Sequence, residues 1–348
     1  MPFRVVEGNA LDYPQDERIR SIMDQTRTAF VFPGGGVQYV GMGRDLYETY
    51  PQVRAAFAEA EDTLGFPLSR LCFEGPEDEL LDIANSLPAI MTVSIAILRI
   101  LEANGLGSDS AGWVAGHSAG EITALVAAGM LDFVDGLRLM RTRSTLMREA
   151  GERRPGGMAA VMGIGDKELE EICARAQRET GEVVIISNYN APEQLVLSGH
   201  ERALERALSL AQQSARRAVR LAVTIASHCT LMESAAAGLR QWMENIAFRP
   251  ARIPLIANVT AQPIRTPEEI RHELGIQLVS PVRWTESIQY LIRQGVGTFI
   301  EVGPKDVLSG LIKRIDRNVR RISVGDVTSL ESLLDNLNSH RCSEPAGG

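Results

Sequence analysis

The chain has 348 residues, 45% of them hydrophobic, enough for one large core with or without a smaller partner unit, and this excludes a wholly disordered protein. A formal net charge of -8 excludes a nucleic-acid binder, because phosphate affinity requires a basic surface. Four scattered cysteines, Cys72, Cys173, Cys229 and Cys342, show no CxxC spacing and no histidines at zinc-finger intervals, so neither a metal site nor a disulfide framework is expected.

Residues 1–27 are polar and without clear period, and read as an N-terminal extension. They lack the basic-then-apolar order of a secretory signal, and no uncharged apolar run of spanning length follows, so a cytoplasmic protein with no membrane partner is expected. Thr28 to Phe32, TAFVF, is a short apolar run that breaks into Pro33-Gly34-Gly35-Gly36 ahead of helical patterns over 44–63 and 86–105. WVAGHS then reads as a second buried strand ending in a turn. Apolar strands followed by glycine turns and helices predict a parallel α/β sheet.

The rhythm changes between Gly156 and Thr224. Strand, helix, strand, strand, helix and strand patterns follow one another, the order of a ferredoxin-like unit. Such an insertion divides the larger α/β domain into 28–153 and 224–338, with the small subdomain at 154–223. After it come IPLIANV as a strand, a helix over 284–293 and GTFIEVG as a strand. The last ten residues, 339–348, read as a disordered tail.

Gly116-His117-Ser118-Ala119-Gly120 fits GxSxG between a strand and a helix. That context places a serine on a strained turn beside backbone N–H groups and a helix N-terminus, where a tetrahedral oxyanion would form. A serine hydroxyl also needs a base. Of the five histidines, His340 lies in the tail, His200 and His272 sit among charges, and His117 adjoins the serine but points elsewhere on such a turn. His228 follows the last strand of the insertion, where the chain re-enters the large domain. From the residues alone it is either the base or a hydrogen-bonded residue at a domain junction.

Taken in order, FVFPGGGVQYVGMG, GHSAGE, LMRTRSTLM, GGMAAV, SNYNAPEQLVLSG, ASHCTLM, QLVSPVRW and EVGPKDVLSGLIKR resemble the malonyl-CoA:acyl carrier protein transacylase family, which includes the acyltransferase domains of polyketide synthases. The resemblance runs from about Phe30 to about Arg314. It implies an α/β-hydrolase-like sheet core with an inserted ferredoxin-like subdomain. It also implies Ser118 as acyl-accepting nucleophile, His228 as its base, and the backbone N–H groups of Gly35 and Ala119 as oxyanion hole. A carbonyl near Gln277 would orient His228 with support from Asn190, and Arg143 would pair with the free carboxylate of the acyl group. A guanidinium fork suits a carboxylate, although Arg143 by itself also fits a solvated face of an arginine-rich helix.

Two departures from the family pattern stand out, one at the oxyanion hole and one in specificity. Gly35 stands where the glycine-rich start usually has glutamine, which keeps the N–H and loses the side chain. Ile225-Ala226-Ser227-His228 matches neither the His-Ala-Phe-His of malonyl-selective polyketide domains nor the Tyr-Ala-Ser-His of methylmalonyl-selective ones. Ile225, Ser227 and Ala119 are therefore the expected specificity positions, with malonyl first and an α-substituted malonyl also admitted.

The expected function is acyl transfer from coenzyme A to the phosphopantetheine of an acyl carrier protein, in polyketide or fatty-acid biosynthesis, with no bound cofactor and no metal. Candidate docking residues for an acidic carrier are Arg153 and Arg154, then Arg216, Arg217 and Arg220, then Lys313, Arg314, Arg317, Arg320 and Arg321. Three rivals are an editing hydrolase that uses the same Ser/His pair, an ordinary esterase, and an inactive scaffold. The esterase expects its histidine near the C-terminus, whereas more than a hundred residues follow His228.

Overall fold

The computed structural model describes the backbone from Arg27 to Cys342 and the side chains from Arg27 to Asn336. The expected extension lies outside the described residues except for Arg27. The chain opens with β1 (Thr28–Phe32), then α1 (Arg44–Thr49), α2 (Pro51–Leu64), α3 (Leu68–Glu74), α4 (Glu77–Leu81), α5 (Ile83–Ala103), β2 (Trp113–Gly116), α6 (Gly120–Ala127) and α7 (Phe133–Arg153). The inserted unit holds β3 (Gly156–Met162), α8 (Asp166–Thr180), β4 (Val184–Ala191), β5 (Gln194–His200), α9 (Glu201–Ala211) and β6 (Arg217–Arg220). The large domain resumes with α10 (Glu233–Met243), β7 (Leu255–Ile256), β8 (Pro263–Ile264), α11 (Pro267–Gln277), α12 (Trp284–Arg293), β9 (Thr298–Val302), α13 (Val307–Ile315), β10 (Arg320–Val324) and α14 (Val327–Cys342).

The large sheet has the order β10-β9-β1-β2-β7-β8, parallel except at β8. All of β1 is buried, and its residues alternate between two cores. Phe30 and Phe32 join the larger cluster with α2, α5, α6 and α7, whereas Ala29 and Val31 join Trp284, Ile288 and Leu311 on the other face. Burial on both faces explains why TAFVF carries no charge. The small sheet is antiparallel, with order β4-β5-β3-β6, and packs Val161 and Leu197 against Leu169, Cys173 and Leu204 of its two helices. Parallel core and separate antiparallel subdomain are the α/β architecture expected from the sequence. The small sheet and its helices span Gly156 to Arg220, within the predicted 154–223.

Four expectations change in detail. The pattern over 44–63 is two helices, because Tyr50 before Pro51 is extended (φ -112°, ψ 126°), as a residue preceding proline prefers, and Pro51 starts a new helix. IPLIANV contributes only the two-residue β7, since Asn258 turns its side chain toward the serine turn. Helix α14 continues to Cys342, four residues into the segment read as a tail, because no breaker precedes Pro345. Helix α5, finally, is long and apolar enough to cross a membrane even though Arg99 and Glu102 interrupt its apolar run. It is a core helix, with 83% of its most apolar window buried inside the protein.

Candidate active site

Phe32 of β1 lies opposite Gly116 of β2, so the glycine-rich loop and the serine turn leave the sheet side by side at the carboxyl ends of paired strands. A Cβ on Gly116 would lie 2.0 Å from the Gly120 carbonyl oxygen, and one on Gly120 would lie 2.2 Å from that of Phe32. These close approaches are why the motif has glycine at both ends. Between them Ser118 takes a left-handed backbone (φ 53°), a strained conformation held by its surroundings. Its N–H donates to Asn258 Oδ1 (2.7 Å), and the Asn258 amide donates to the Gly116 carbonyl (2.7 Å).

His228 also has a positive φ (60°), which turns its ring back onto the serine. Its Nε2 is 2.7 Å from Ser118 Oγ and its Nδ1 is 2.9 Å from the backbone carbonyl of Gln277. A carbonyl only accepts, so Nδ1 carries the proton and Nε2 is free to accept the serine hydroxyl. His228 is buried, and desolvation, reinforced by the positive charge of Arg143, pulls its pKa down to about 3. The ring is therefore neutral near pH 7. Among the described residues, the N–H groups of Ala119 and Gly35 have no hydrogen-bond partner in the fold. Ala119 is the N-cap of α6, so its N–H sits at the positive end of that helix.

Arg143, on α7, is 1% exposed and belongs to no solvated face. Its Nη2 donates to Gln277 Oε1 (3.0 Å), and its Nε has no partner. Burial lowers its pKa to about 10 while nearby Glu121 favours the charge, so the guanidinium stays cationic near neutrality. A buried cation with an unused N–H is suited to an anionic ligand.

The structure brings Ser118, His228, Arg143, Gln277 and Ala119 into one constellation, and Gly34, packed on the serine turn, carries its neighbour Gly35 alongside. Asn190 has a different partner from the one expected: its Oδ1 meets His117 Nε2 (2.7 Å), and it makes no bond to His228. His117 lies edge-on to Trp284, and burial lowers its pKa. Ile225 packs against α7 at Gly151, where an added Cβ would come within 2.9 Å of it. That is eight residues, about 12 Å of helix, beyond Arg143. Ser227 is half-buried, and a Cβ on Gly35 would meet Leu87 Cδ2 at 3.2 Å, so Leu87 bounds the space where the family's glutamine side chain would start. Of the proposed docking arginines, Arg220 is already paired with Glu201 and Glu205.

Sequence reasoning missed Asn258, Glu121 and Glu273. Glu121 is wholly buried and accepts from the Asn258 N–H (2.8 Å), the Asn258 amide (3.1 Å) and the Gln277 amide. Glu273 accepts from the Val259 N–H (2.8 Å), and desolvation raises its pKa to about 7. Burial and the neighbouring Glu273 charge raise that of Glu121. A 470 Å³ surface pocket between Arg99, Glu102, Arg249 and Arg252 contains none of the site residues. Among the described residues, no cluster of His, Cys, Asp and Glu side chains is arranged to hold a metal.

The acyl transferase domain family matches residues 29–332. The malonyl CoA-acyl carrier protein transacylase of Bacillus subtilis is 41% identical over 313 residues, covering 90% of this chain and 98% of that protein. The Escherichia coli K12 transacylase is 39% identical over 89% of this chain and 99% of that one. Among solved structures, an acyl carrier protein S-malonyltransferase from Vibrio cholerae superposes with TM-score 0.84 at 40% identity, covering 88% of this chain and 99% of that one. A malonyl-transacylase in complex with a type II PKS acyl-carrier protein gives 0.85 at 40% identity, covering 89% and 99%. With the serine turn, the histidine and the buried arginine in one place, and matches of this length, the chain belongs to the malonyl-CoA:acyl carrier protein transacylase family of acyl transferase domains.

Proposed function

We propose that the protein transfers a malonyl group from coenzyme A to the phosphopantetheine thiol of an acyl carrier protein, through an acyl-serine. The observation that carries this is a neutral imidazole 2.7 Å from Ser118 Oγ beside a buried, cationic Arg143. In the first half-reaction His228 Nε2 takes the Ser118 proton as Oγ attacks the thioester carbon. The N–H groups of Ala119 and Gly35 receive the oxyanion, each donor contributing about 3 kcal/mol by analogy with measured oxyanion holes. The C–S bond then breaks, and the sulfur leaves with the proton from His228. In the second, His228 takes the proton of the carrier's thiol, sulfur attacks the acyl-serine carbonyl, the C–Oγ bond breaks, and the proton passes from His228 to the departing Oγ. The result is ping-pong kinetics, with acyl-CoA as substrate and no bound cofactor.

Arg143 selects for an acyl group that ends in a carboxylate, and both fatty-acid and polyketide biosynthesis use such a donor. The small Ala119 and Ser227 leave room for an α-substituent, with malonyl as the first choice. An editing hydrolase would end the cycle at water, and a neutral acyl chain would leave Arg143 a buried cation without its anion. Labelled malonyl-CoA incubated with and without a carrier protein separates the two. Label on the carrier is the expected result, and rapid release of free malonate with an unlabelled carrier would reject transfer.

The low pKa of His228 also fixes the acid side of the pH profile. A base works when deprotonated, so lowering its pKa from 6.5 to about 3 extends activity toward acid. The acid limb of kcat/KM for enzyme acylation is expected below pH 5. A limb centred near 6.5 would show that the ring is solvated in the working enzyme.

A further inference from the structure

Glu121 has no part in the chemistry above, yet it is a carboxyl with no exposure, three residues after the nucleophile, in a helix otherwise apolar or small. Burying such a group is costly unless its oxygens are satisfied. Two amides supply most of that satisfaction, and the Glu273 carboxyl lies within hydrogen-bond reach on the remaining side. Oε1 takes the N–H and side-chain amide of Asn258, and Oε2 takes the side-chain amide of Gln277.

A primary amide has a donating and an accepting end, and the contact at one end decides what the other presents. The two Glu121 oxygens each accept from an amide, so Glu121 draws the nitrogen of both toward itself, and the Gly116 carbonyl pulls the Asn258 nitrogen the same way (2.7 Å). Asn258 is thereby left with Oδ1 facing the Ser118 N–H (2.7 Å), which holds the nucleophile turn. Gln277 is left with Oε1 facing Arg143 Nη2 (3.0 Å), while its Nε2 also ties the Ser118 carbonyl (3.0 Å). Turned the other way, Gln277 would present N–H groups to a guanidinium that has only N–H groups to offer. Glu273 beside it and Arg143 across from it are the charged neighbours of Glu121.

We propose that Glu121 is a positioning residue of the transfer reaction: it sets the polarity of the Asn258 and Gln277 amides, and through Gln277 it aims Arg143 at the acyl carboxylate. The inference rests on the reading of Arg143 as carboxylate binder. It predicts that Glu121 governs discrimination between acyl groups with and without a carboxylate, a property that loss of packing alone would not change.

The test is acylation of the full chain by malonyl-CoA and by acetyl-CoA, followed by intact mass as kcat/KM for each. In Glu121→Gln the new amide competes as a donor, and the malonyl-to-acetyl ratio is expected to fall about tenfold or more, the effect of losing one hydrogen bond to a charged group. Glu121→Asp keeps a carboxyl that accepts from both amides and is expected to hold the ratio within about threefold, even with slower turnover. Should Glu121→Gln fail to fold, Gln277→Met removes the aimed amide while the backbone carbonyl that meets His228 stays. Its ratio is expected to fall in the same way. Equal loss for both thioesters in Glu121→Gln, or an unchanged ratio in Gln277→Met, would overturn the role of Glu121. A wild-type enzyme that takes malonyl no better than acetyl would instead overturn the reading of Arg143.

Discussion

Ser118→Ala is expected to abolish the acyl-enzyme and to lower malonyl transfer by about four orders of magnitude or more, the scale at which removing a serine nucleophile acts in comparable sites. Methyl for hydroxyl removes one 2.7 Å hydrogen bond to His228 and leaves the rest of the turn in place, because the Ser118 backbone N–H is held by Asn258. Folding should be nearly unaffected. His228→Ala is expected to cost nearly as much, and the double variant little more, since the two groups act as a unit. Intact mass after exposure to malonyl-CoA reads the acyl adduct directly. A Ser118→Ala protein that still gained a malonyl group would place the nucleophile elsewhere.

Arg143→Ala is expected to lower kcat/KM for malonyl-CoA by about 100- to 1000-fold while leaving acetyl-CoA nearly unchanged or improved. The estimate takes two charge-assisted bonds to the acyl carboxylate, each about 1.5 to 3 kcal/mol, at 1.36 kcal/mol per decade of rate and allowing for incomplete additivity. The change also deprives Glu121 of its only cationic contributor, so a loss of thermal stability is expected alongside. Arg143→Lys should recover part of the malonyl rate, because an ammonium supplies charge without the planar fork. Malonyl and acetyl rates that fell together in Arg143→Ala would mean that the arginine supports the fold and does not read the substrate.

The parts of this site that sequence reveals are those that backbone sterics or charge make rare. Gly116 and Gly120 flank Ser118 because no Cβ fits there, and a strand of five buried residues, four of them apolar, precedes the glycine-rich loop. The inserted unit is legible for the same reason, since its strands and helices alternate in period. The histidine is harder, because 110 residues separate it from its serine and only the ordered motifs single it out. Asn258, Glu121 and Glu273 are ordinary polar letters in sequence, and their importance comes from burial, which a single chain does not display. One signal was nevertheless present: Glu121 is the only charge in GEITALVA, a helix otherwise apolar or small. Asn190 shows the converse. Its segment was recognised, but its partner is set by how the small sheet meets the large domain, and that geometry gives it His117.

That meeting of the two units is a main-chain one. Tyr189 donates its N–H to the Val282 carbonyl, Val282 donates to that of Ser187, both at 2.9 Å, and Thr285 Oγ1 reaches the Tyr189 carbonyl. Strand β4 and the loop that leads into α12 are thus joined through backbone, and the two units cannot part there without breaking those bonds. The fold itself therefore fixes the inserted unit, and with it Asn190 on His117, beside the nucleophile before any substrate arrives.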